Sequence, residues 1–124
     1  MARMTFTVFH VALGGAIGAA LRFLLGSALM RDGFPVAILT CNVLGSFAMG
    51  IAAVLLGRHG LPQWQPFLLT GVLGGFTTFS AFSLETLTLV ERGAWGQAFI
   101  YVALSVGLSL LALMLGLFIA RSLA

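Results

Sequence analysis

Gly71-Val72-Leu73-Gly74-Gly75-Phe76-Thr77-Thr78-Phe79-Ser80-Ala81-Phe82-Ser83-Leu84-Glu85 lies inside a long apolar segment but does not read as a regular helix. Its glycines, Gly71, Gly74 and Gly75, each weaken helical propensity by roughly 1 kcal/mol. Hydroxyls follow at Thr77, Thr78, Ser80 and Ser83, interleaved with Phe76, Phe79 and Phe82. In a lipid bilayer, irregular backbone survives only where protein or a water-filled path satisfies its polar groups. The run therefore reads as a broken membrane helix, the setting in which transport proteins bind ions.

The rest of the chain supports a membrane reading. It has 124 residues, 60% of them hydrophobic and 7% charged, with a mean hydropathy of +1.14. A soluble domain carries about 25% charged residues. All the basic residues that count toward the net charge of +3 are arginines, and they are scattered, so no basic patch for nucleic acid exists. The single cysteine, Cys41, excludes an intrachain disulfide and reads as a packing residue.

Charged residues cut the chain into apolar segments at about residues 4–30, 34–57, 63–90 and 95–120. Each reaches the roughly 20 residues needed to cross a bilayer. The first is too long for a signal-peptide core and reads as a retained membrane helix. The connections Arg31-Asp32-Gly33, Arg58-His59-Gly60-Leu61-Pro62 and Glu91-Arg92-Gly93-Ala94 combine charge with Gly or Pro, as interfacial turns do. Trp64 and Trp95 open the third and fourth segments at the level of an aromatic belt. The expected architecture is an all-α membrane protein, a single four-helix transmembrane domain over residues 1–124. Its third helix breaks near the bilayer midplane, and no room is left for a catalytic domain.

An even number of spans puts both ends of the chain on one side, with Arg3, Arg58 and Arg121. Arg31, Arg92 and the deeper Arg22 belong to the other side. The positive-inside rule then gives almost no orientation signal. Two readings stand: a weak bias resolved by other means, or insertion in both orientations and pairing as an antiparallel, dual-topology dimer.

Several polar groups fall on helical stripes. Gly14, Gly18, Arg22 and Gly26 recur every four residues, so they share one face on which another helix could approach closely. Arg22 either snorkels to the interface or forms an electropositive vestibule that draws anions. Asn42, with Ser46 and Gly50, offers interhelical hydrogen bonding or an amide N–H for an anion. Tyr101, Ser105 and Ser109 place three hydroxyls in register on the fourth segment, as a polar track would. The row Phe76, Phe79 and Phe82 reads either as lipid-facing or core surface or, because phenylalanine rings have positive edges, as a site that attracts a small anion without any formal charge. Carbonyls freed by a break near Gly74 to Thr77 would suit a hard cation. Glu85 reads either as an interfacial anchor or as a residue at a pore mouth.

Three pieces resemble the Fluc, or CrcB-like, family of fluoride channels: Gly14-Gly15-Ala16-Ile17-Gly18-Ala19-Ala20-Leu21-Arg22-Phe23, Asn42-Val43-Leu44-Gly45-Ser46-Phe47, and the run from Gly74 to Glu85. They occur in the family's order, and the likeness covers essentially the whole chain. The resemblance implies an antiparallel homodimer with two pores in the inner (cytoplasmic) cell membrane, exporting fluoride by passive conduction. It implies a structural central sodium ion held by backbone carbonyls, here those of Gly74 and Thr77. It assigns the fluoride pathway to Asn42, Phe79 and Phe82, the hydroxyl track to Tyr101, Ser105 and Ser109, and the vestibule to Arg22, with Ser83 beside the pair of rings. The rival is a small proton-coupled multidrug exporter of the four-helix, dual-topology type. Such exporters need a carboxylate in the first span, where this chain has Arg22 and no acid.

Overall fold

The computed structural model describes residues 1–30 and 32–123, so Arg31 of the first connection and of the charge count lies outside the described residues. Helix α1 spans Ala2–Ala28, α2 Val36–Arg58, α4 Phe79–Glu91 and α5 Trp95–Leu123. We call residues 62–76, the first half of the third segment, α3. Four spans are long and apolar enough to cross a membrane: Ala2–Ala28, Val36–Arg58, Pro62–Glu91 and Trp95–Leu123. The helices extend a residue or more past several of the boundaries expected from charge, because a terminal arginine can stay helical while its head group reaches water. Gly33, Gly60 and Gly93 have φ of 96°, 67° and 79°, so each connection turns on one left-handed glycine.

Two close helix pairs build the molecule. Helix α2 packs along α5, and α1 packs along α3. Glycine lets both pairs approach to backbone contact. A Cβ added to Gly14 would lie 3.0 Å from the Gly71 Cα and would collide with the Phe67 carbonyl. One added to Gly18 would meet the Val72 carbonyl, and one on Gly75 would lie 2.6 Å from the Gly15 carbonyl. Gly50 and Gly116 play the same part between α2 and α5, each facing the other helix's backbone. Without a hydrophobic drive between helices in lipid, such close packing is a main source of association. Gly26 and Gly107 face open space within this chain, so they take no part in that packing.

The third segment is irregular in two ways. After a short 3₁₀ turn at Pro62–Trp64, residues Pro66–Leu73 wind as a π-helix. One further turn, Gly74–Phe76, precedes the break. Thr77 (φ −90°, ψ 155°) and Thr78 (φ −154°, ψ 124°) are extended. Thr78 then caps α4: its Oγ1 accepts from the Ala81 N–H at 3.2 Å. The break lets the segment change neighbours, since α3 lies on α1 whereas α4 lies on α5. The interior is small. Phe82, Leu89, Ala98 and Tyr101 form its apolar cluster, with Phe34 and Ile38 against it. Cys41 is fully buried. Large apolar residues such as Phe9, Leu24, Phe99 and Phe118 point outward, as expected where the solvent is lipid.

Candidate functional site

The break is held from two sides. From α2, Asn42 bonds twice to one residue: its Nδ2 donates to the Thr78 carbonyl at 3.1 Å, and its Oδ1 accepts from the Thr78 N–H at 2.8 Å. This replaces, with a side chain, hydrogen bonds that the extended backbone cannot make to its own helix. From α1, Arg22 Nε donates to the Gly75 carbonyl at 3.2 Å. Gly45 of α2 makes room for this arrangement, because a Cβ there would collide with Thr77 and come within 3.2 Å of the Phe76 ring.

The break leaves the carbonyls from Gly74 to Thr77 without helical donors, and for Gly74 and Thr77 the competitor can be named. In a continuous helix the Thr78 N–H would donate to the Gly74 carbonyl, four residues back. Here it goes to Asn42. The Ala81 N–H would donate to the Thr77 carbonyl, but it goes to the Thr78 hydroxyl. The carbonyls of Gly74 and Thr77 are therefore released by identifiable competitors. Gly74 is exposed and Thr77 half-buried. Two such oxygens are hard donors of the kind that replace a cation's hydration shell.

A groove of about 420 Å³ runs along the break between α2 and α5. It brings together Asn42, Phe79, Phe82, Ser105 and Ser109, which are far apart in sequence. The two rings lie 5.4 Å apart between centroids, tilted by 60°. They differ in setting: Phe79 is 77% exposed, whereas Phe82 is buried at 9%. Behind the groove, Tyr101 is fully buried, its ring 5.3 Å from Phe82 and 5.6 Å edge-on to Phe34. The Tyr101 hydroxyl and Ser105 Oγ are buried with no hydrogen-bond partner among the described residues. A buried unsatisfied hydroxyl costs about 1–3 kcal/mol, so this pair is poised for a polar visitor.

Three expected pathway residues lie apart from the groove lining. Tyr101 sits one layer behind it. Ser83 Oγ donates to the Phe79 carbonyl at 3.0 Å, a bond within its own helix turn. Arg22 instead lines a recess of about 280 Å³ that also includes Ser27, Pro35 and Glu85. Glu85 borders a second recess, of about 580 Å³, with Asp32 and Arg92. Thr78, the pivot of the break, is not among the site residues expected from sequence. A threonine directly before a helix-forming apolar run is a start signal, and that signal could have found it.

A sequence profile described as "CrcB-like protein, Camphor Resistance (CrcB)" matches residues 9–117. Relatives named "Fluoride-specific ion channel FluC" align over nearly the whole chain. The one from Ruegeria sp. (strain TM1040) is 57% identical over 122 residues, covering 95% of this chain and 97% of that protein. The one from Roseobacter denitrificans is 62% identical over 116 residues, covering 90% and 92%. The one from Cereibacter sphaeroides (strain ATCC 17029 / ATH 2.4.9) is 52% identical over 121 residues, covering 95% and 97%.

Proposed function

The chain belongs to the CrcB-like family, and from that premise we propose that it is a fluoride-specific ion channel of the multi-pass membrane type, not an enzyme. Its relatives carry that function in their names. The observation that carries the reading to particular residues is the groove at the helix break, where Asn42, Phe79, Phe82, Ser105 and Ser109 converge. None of them bears a formal charge. Fluoride would pass along ring edges and hydroxyl or amide hydrogens, held firmly enough to enter and loosely enough to leave. Ser105 would offer its hydroxyl to it from the groove wall, with Tyr101 in the layer behind. Arg22 would raise the local anion concentration at the mouth, with Ser83 keeping the turn that carries Phe79.

An antiparallel homodimer completes the proposal. In one chain the groove is open and Phe79 is 77% exposed, so a second copy would close the passage. A structural sodium ion fits the same arrangement. One chain offers the released carbonyls of Gly74 and Thr77, and a second copy would double that donor set. Bound there, the ion would supply fixed positive charge that holds the breaks of two chains together. The channel would sit in the inner cell membrane and export fluoride down its gradient.

The test is efflux from liposomes containing purified protein. Fluoride should leave far faster than from protein-free vesicles, and chloride should not. Folded protein that releases no fluoride, or releases both anions alike, would overturn the reading.

A further inference from the structure

A recess of about 490 Å³ lies between the first turns of α1 and the start of α3, away from the groove. Arg3, Phe6, Thr7, His10, Gln63, Trp64 and Pro66 line it. We propose that it binds the phosphate of an anionic phospholipid, with Arg3, Gln63 and Trp64 as donors.

Three observations carry this. The first is charge. The lining holds Arg3 and no carboxylate. The chain's acids, Asp32, Glu85 and Glu91, all belong to the opposite end of the bundle, in or near the connections that follow α1 and α4. The end that holds the recess also carries Arg58 and Arg121. Among the described residues, no carboxylate lines the recess to neutralise Arg3. The second is depth. Arg3 is in the opening turn of α1, and Gln63 and Trp64 are in the opening turn of the third span. That is headgroup level, where tryptophan and arginine anchor and where basic recesses between spans hold lipid headgroups.

The third is shape and composition. Trp64 brings an indole N–H and Gln63 a side-chain NH2 to the lining, both groups able to donate to a phosphate oxygen. His10 Nδ1 lies 2.9 Å from the Phe6 carbonyl, which can only accept, so that nitrogen carries the hydrogen. The ring is flanked by Phe6 at 4.3 Å and Phe67 at 6.5 Å. Below the polar rim, Phe6 and Phe9 face outward along α1, 67% and 70% exposed. They give acyl chains an apolar track leading from the recess toward the membrane interior. A free anion would use the donors but not the track.

The inference needs only the membrane span, not fluoride conduction, so its test reads lipid and not flux. Purified protein is loaded with phosphatidylglycerol or phosphatidylcholine, and retained lipid is counted by native mass spectrometry. Wild type should hold phosphatidylglycerol in preference. Arg3→Gln removes the one charged donor that lines the recess and should lower that preference about fivefold. Arg121→Gln removes the same charge from the same end, outside the recess, and should leave the preference in place. Equal retention of both lipids by wild type would overturn the proposal. So would an equal loss in the two variants. Displacement of the lipid by millimolar inorganic phosphate as readily as by phosphatidylglycerol would replace the lipid with a free anion and overturn it too.

Discussion

Asn42 touches the Thr78 backbone as both donor and acceptor, which gives its substitution two separable effects. In Asn42→Asp the Thr78 N–H keeps its acceptor, but the Thr78 carbonyl loses its donor and faces a carboxylate. An unsatisfied buried acceptor costs about 1–3 kcal/mol. The new negative charge borders the groove and repels an anion at short range. Asn42→Asp should therefore melt earlier than wild type and pass fluoride near background, counted per folded protein in liposomes. Unchanged flux would take Asn42 out of the pathway. The two phenylalanines separate packing from conduction in another way. Phe79→Ile alters a ring that is 77% exposed and has an aromatic contact to Phe82 at 5.4 Å, so thermal stability should fall less than in Phe82→Ile. Phe82→Ile removes a ring packed against Tyr101 at 5.3 Å, losing about 0.5–1.5 kcal/mol of aromatic contact. Fluoride flux should fall by orders of magnitude in both if ring edges carry the ion. Wild-type flux in both variants would return the rings to a packing role.

Among the elements, the glycine contacts make the sharpest prediction. Gly14 and Gly18 meet backbone atoms of α3 that cannot swing aside as a side chain can. Gly14→Ala and Gly18→Ala should each cost about 1–3 kcal/mol, the usual penalty of overpacking, seen as earlier thermal unfolding or loss of a monodisperse peak in detergent. Gly57 has nothing within 4 Å of an added Cβ, so Gly57→Ala should be neutral or slightly stabilising through its better helix propensity. If all three variants behave alike, the α1–α3 contact is not what holds the pair. The stripe of Gly14 and Gly18 was legible from spacing. Its counterpart, Gly71 and Gly75, has the same four-residue spacing but lies within the irregular run, where glycine reads first as a helix breaker. Only the backbone contact with Gly14 and Gly15 reveals its packing role.

For the whole molecule, the near balance of arginines between the two ends motivates the antiparallel dimer. Adding several lysines to one end should lock a single orientation. A locked protein should conduct little alone and recover when mixed with a copy locked the other way. Normal efflux from one locked orientation alone would exclude the antiparallel assembly. The open groove and the exposed Gly74 predict the same dependence on a second copy.

The sequence by itself determined the four spans, the connections turning on Gly33, Gly60 and Gly93, and an interruption within the third span, which falls at Thr77–Thr78 and not at the glycines, since these stay helical. These follow from local properties: apolar length against bilayer thickness, left-handed glycine at turns, and weak helix formers at midspan. Asn42, Ser105 and Ser109 stand out as uncharged polar groups against an apolar background, whereas Phe79 and Phe82 are set apart from Phe76 only by the family resemblance. The tertiary structure alone decided what those groups do to one another. Spacing along one helix cannot say which backbone atom on another helix a side chain will meet. Only the packing of α2 against the break puts Asn42 on Thr78, and only that of α1 puts Arg22 on the Gly75 carbonyl. Those long-range bonds, with the Thr78 cap, occupy the N–H groups that would otherwise close on the Gly74 and Thr77 carbonyls.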